Sequence, residues 1–80
     1  MSRGKGPWVL TRRDRYGLGV VTVLAGWAVT TAQASLILSG EETPLTFRTR
    51  FDADNAWAGN AARAAAFTAL PLDELRGEVR

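Results

Sequence analysis

Eighty residues make one small domain at most, and chains of this size bury too little apolar surface to be secure without disulfides, a metal or a partner. There is no cysteine and no histidine, which excludes disulfide staples, Cys/His zinc sites, thiolate nucleophiles, a neutral-pH imidazole switch and the usual ligand for haem or a chlorophyll magnesium. The formal net charge of +2 is unevenly spread: residues 1–15 carry Arg3, Lys5, Arg12, Arg13 and Arg15 against Asp14, residues 16–38 carry none, and residues 39–80 hold seven acids against five arginines.

Taken from the N-terminus, residues 1–15 read as a basic cytoplasmic segment, with Thr11 and Asp14 spaced like a capping box that would start a helix near Arg12. Tyr16 to Leu38 follows as 23 residues without a charge, long enough as a helix to cross a hydrocarbon core of about 30 Å. Leu18, Val20, Val21, Val23, Leu24, Val29, Leu36, Ile37 and Leu38 favour insertion, while Gln33, the threonines and the glycines oppose it. Trp8, Arg12, Arg13, Arg15 and Tyr16 are placed as membrane-interface anchors, and the positive-inside rule keeps the N-terminus cytoplasmic. Gly19, Thr22, Gly26, Thr30 and Ala34, with Gln33 beside them, would share one helical stripe, a docking face for another spanning helix. Ser39-Gly40 supplies the stop, with Gly40 free to take positive φ.

Beyond it, Leu45, Phe47, Thr49 and Phe51 alternate with Thr46, Arg48 and Arg50, the period of an extended strand. Asp52-Ala53-Asp54-Asn55 offers N-cap chemistry to an alanine-rich helix over about 55–70. Pro71 closes it, and Leu72, Leu75 and Val79 mark a short amphipathic helix over about 72–77. Phe47, Phe51, Trp57, Phe67, Leu72 and Leu75 are the side chains with which this tail would pack onto a larger neighbour.

Residues 16–38 also contain the parts of a cleavable signal, with Ala32-Gln33-Ala34 before Ser35 as an A-x-A site. Thr11-Arg12-Arg13-Asp14 resembles the opening of a twin-arginine export signal, although Arg15 stands where that pattern carries a bulky apolar residue. The resemblance covers the motif and the apolar stretch behind it, and implies export.

Catalytic chemistry finds no anchor. Glu41-Glu42 and Asp73-Glu74 are adjacent carboxylates without histidine, and Ser35 and Ser39 have no base to activate them. The N-terminal arginines beside Trp8 could form a nucleic-acid arm, but a topology anchor accounts for the same charges with fewer assumptions. The expectation is an all-α membrane protein: a single transmembrane helix followed by an extended segment and one or two short amphipathic helices, with residues 39–80 extracytoplasmic. Its expected role is that of a non-catalytic accessory subunit of a bacterial inner-membrane complex of the respiratory or photosynthetic kind. Its partners would be other transmembrane subunits and membrane lipids, with no nucleic acid and no small-molecule substrate. No cofactor is encoded, although apolar contact with lipids, quinones or pigments is open. Release of an exported small protein after Ala34 is the alternative.

Overall fold

The computed structural model describes residues 7–16, 19–26, 30–57 and 59–78. The chain is a small α/β domain, with a radius of gyration of 11.7 Å. A compact chain of this length is expected at about 11.6 Å. Its central strand β1 runs over Trp8–Arg13, followed by β2 at Val20–Leu24 and β3 at Thr31–Ala32. Helix α1 covers Ala34–Leu38, β4 Thr46–Phe47, α2 Arg50–Asp54, α3 Ala61–Ala66, β5 Thr68–Pro71 and α4 Leu72–Glu78.

All pairings are antiparallel, and β1 organises them. Trp8 pairs with both Phe47 and Pro71, and Thr11 with both Val23 and Thr68. A strand has only two edges, so β5 lies along one edge of β1 from Trp8 to Thr11 while β2 and β4 share the other, end to end. The bond from Leu45 N–H to Leu24 C=O at 3.0 Å joins those two neighbours, and Leu72 N–H to Pro7 C=O at 2.9 Å extends the β5 ladder.

Alternation along the strands then builds two cores. On one face Val9, Val20, Val23 and Leu70 pack with Ala34 and Ile37 of α1 and Leu75 of α4. On the other, Leu10 and Leu24 pack with Leu45 and with Ala53 of α2, bordered by Trp8, Phe47, Trp57 and Phe67. The Trp57 and Phe67 ring centroids are 6.4 Å apart. Thr11 is the one buried polar side chain among the described residues, and its hydroxyl donates to Thr68 C=O at 3.0 Å.

This architecture overturns the membrane expectation. No helix among the described residues is long and apolar enough to cross a membrane. The uncharged run holds β2, β3 and the five-residue α1 instead. The physical reason lies in its composition: eight of its 23 residues are β-branched, and glycines interrupt it. β-Branched side chains lose rotamer freedom in a helix and pack well on a pleated surface. β2, β3 and α1 follow one another without an intervening charge, so the run has the length of a spanning helix without its structure. The inner-membrane location and the cytoplasmic-to-extracytoplasmic orientation rest on that helix and fall with it.

Further differences are local. The helix start at Arg12 is replaced by strand, with Thr11 and Arg12 paired to Val23 and Thr22. The alternation of residues 45–51 yields only β4, because Thr49 caps α2 by accepting from Asp52 N–H at 3.0 Å. Asn55, expected at an N-cap, sits at the C-terminal end of α2, where its Nδ2 donates to Phe51 C=O at 2.8 Å. The stretch expected to be helical over 55–70 is helical only at Ala61–Ala66 and enters β5 at Thr68. Strand pairing with Trp8 to Thr11 of β1 outweighs the helix propensity of the flanking alanines. Release after Ala34 would remove β1, β2 and β3, and leave β4 and β5 without the strand they both pair with. Arg3, Lys5, Leu18, Val29 and Val79 lie outside the described residues.

Candidate functional site

The arginines that were assigned to a membrane interface converge instead on the β1–β2 hairpin. Asp14 N–H donates to Gly19 C=O at 3.0 Å, closing the loop, and Tyr16 N–H donates to the Asp14 carboxylate at 2.9 Å. An aspartate bonding the backbone two residues on is the usual way such a side chain holds a turn. It positions Arg15 and Tyr16 at the tip, where Tyr16 is 75% exposed. The Arg15 guanidinium carbon lies 5.8 Å from the Tyr16 ring centroid, within cation–π range.

Behind the tip, the register slips. Arg12 pairs with Thr22 but Arg13 pairs with Val20, so Val21 is an extra residue in β2, a β-bulge. Bulges interrupt the strict in-and-out alternation and increase local twist. Consecutive Arg12 and Arg13 are both exposed here, and Val21 turns outward at 37% exposure. The Arg12 Nη2 donates to the Thr22 hydroxyl at 3.2 Å. One such bond steadies the fork and leaves most of its five N–H donors for another group.

Residues 7–26 thus carry three arginines against Asp14, while residues 30–78 carry seven acids against four arginines. Along an extended backbone, the Cα atoms of Arg12 and Arg15 are at most about 11 Å apart.

The other residues singled out in the sequence are dispersed. Gly19 is in the hairpin loop, Thr22 on β2, and Gly26 in the following turn at a φ of 80°. Thr30 and Gln33 are exposed, and Ala34 is buried in α1. They do not share a stripe because no helix joins them, which removes the proposed helix-docking face. Trp8 is half-buried against the second core, away from the hairpin tip. Phe47, Trp57 and Phe67 pack on that same core, Phe51 is 74% exposed on α2, and Leu72 and Leu75 meet the first core. Thr22 as the partner of Arg12 and the outward Val21 were not foreseen, because a bulge leaves no periodic signal in a run such as Val20-Val21-Thr22-Val23.

Shallow depressions elsewhere hold about 350 Å³ beside Pro7, Thr46, Phe47 and Arg48, and about 300 Å³ beside Gly26 and residues 43–46. Both lie at the low end for small-molecule sites, and among the described lining residues only Arg48 carries a charge. The hairpin groups Arg12, Arg13 and Arg15 with an exposed aromatic ring on a turn held by backbone hydrogen bonds. Compared with protein-family models, with curated proteins and with solved structures, the sequence and fold find no match.

Proposed function

We propose that this chain is a small, non-catalytic binding module that presents its β1–β2 hairpin to an acidic partner within a larger assembly. The observation that carries the reading is the hairpin itself: Arg12, Arg13 and Arg15 grouped at one end of a molecule whose remaining described residues are net acidic. Clustered charge of one sign steers an oppositely charged partner and sets register at the contact. Among the described residues no helix is long and apolar enough to cross a membrane for these arginines to flank. The non-catalytic part rests on the sequence, which has no histidine or cysteine to act as base or nucleophile.

Heparin, a generic polyanion, provides the test. The double variant Arg12→Glu/Arg15→Glu is compared on an immobilised heparin column with Arg48→Glu/Arg50→Glu, which has the same net charge change elsewhere. The hairpin variant elutes at clearly lower salt than its control. Equal elution of the two variants means that net charge alone governs retention, and the hairpin reading fails.

A further inference from the structure

Resting on that reading, we infer that the acidic partner is single-stranded nucleic acid, with phosphodiester oxygens on Arg12 and Arg15 and an unstacked base on Tyr16. Two features fit this partner, and the second separates it from an acidic protein. The cations are all arginine, whose planar fork donates two parallel bonds to a phosphate as it does to a carboxylate. Arg12 and Arg15 flank the tip of one hairpin, so a backbone crossing it meets both.

Tyr16 supplies the second feature. One face of its ring is backed by the Arg15 guanidinium, and the ring is 75% exposed, leaving its other face open. An aromatic face beside cations is the platform on which single strands stack their bases, and every base has a matching π-face. In a duplex the bases are already stacked and paired, so this ring would have nothing to receive.

Binding of the full chain to a fluorescently labelled oligothymidylate of about ten nucleotides, within the usual site size, is measured by anisotropy over a salt series. Two phosphate contacts give a slope of log affinity against log salt of about −1.4 for a single strand. Arg15→Ala makes that slope shallower by about 0.7. Tyr16→Ala weakens binding by about 5- to 100-fold with the slope unchanged, and Tyr16→Phe restores it, because stacking needs the ring and not the hydroxyl. Tyr16→Ala should fold normally, since its side chain is exposed, and the circular dichroism spectrum verifies this. The inference is overturned if Tyr16→Ala changes affinity less than twofold, or if a duplex of equal length binds as tightly. Retention on heparin that depends on Arg12 and Arg15, without oligonucleotide binding, overturns the nucleic-acid assignment alone. Loss of both removes the binding module as well.

Discussion

Leu75→Ala tests whether the C-terminal helix is part of the same cooperative unit as the N-terminal strands. Leu75 is 0% exposed and is the only fully buried side chain among those described on α4; Leu72 is half-buried and Asp73, Glu74 and Arg76 face outward. It sits in the core with Val9, Val20 and Val23, more than fifty residues earlier in the chain. Removing a buried leucine side chain costs about 2–5 kcal/mol through lost burial and the cavity left behind. A domain of this length is stable by about 4–12 kcal/mol in all, so a loss of about 3 kcal/mol is a large share. With a urea dependence of about 1–1.5 kcal/mol per molar, the midpoint falls by about 2–3 M.

The assay is urea unfolding followed by tryptophan fluorescence alongside circular dichroism. Trp8 and Trp57 border the opposite core from Leu75, so in a Trp27→Phe background fluorescence reports the far face of the sheet. Because β1 and β2 contribute alternate residues to both cores, the two probes must shift together. A midpoint shift below about 0.5 M would refute the packing of α4 onto the strands. A fluorescence transition that stays put while circular dichroism moves would show that the two faces unfold independently.

Other substitutions test narrower parts of the structure. Thr49→Ala removes the hydroxyl that caps α2, and should lower unfolding free energy by about 1 kcal/mol in the same urea experiment. Gly40→Ala forces a side chain into a φ of 88°, and a cost of about 1–2 kcal/mol is expected although nothing lies within 4 Å of the added carbon. Thr11→Val exchanges one buried hydrogen bond to Thr68 for added apolar burial, so stability should stay within about 1 kcal/mol; a larger loss would show that the Thr68 carbonyl depends on that hydroxyl. Asp54→Asn breaks an exposed ion pair with Arg50 at 3.4 Å, and thermal unfolding should shift by no more than about 0.5 kcal/mol equivalent.

The parts of the fold that were legible are those controlled by neighbours in sequence. Ser39-Gly40 was readable as a helix stop, and α1 ends there in a full Schellman arrangement: Gly40 N–H to Ile37 C=O at 3.1 Å and Glu41 N–H to Leu36 C=O at 3.0 Å. Leu72 and Leu75 among acidic residues carry a helical period, and a helix stands at Leu72–Glu78 with Leu75 inward. The grouping of Arg12, Arg13 and Arg15 was also plain, because adjacent residues stay adjacent however the chain folds. What that group was for could not be read, since the same charges suit a membrane boundary and a hairpin tip.

Residues 16–38 show where local information ends. The apolar side chains among them, such as Val20, Val23, Leu24 and Ile37, needed cover from water, and this much the amino acids determined by themselves. Whether the shield is lipid or protein depended on partners far away in the chain: Leu70 and Leu75 on one face, Leu45 and Ala53 on the other. None of these residues is apolar at a period that points to β1 or β2. Strand pairing joins Thr11 to Thr68 across 57 positions, and that separation is invisible to any short window. The uncharged run, the helix stop and the basic cluster were therefore properties of the sequence, whereas the five-stranded sheet and its two cores arose only when distant segments closed around β1.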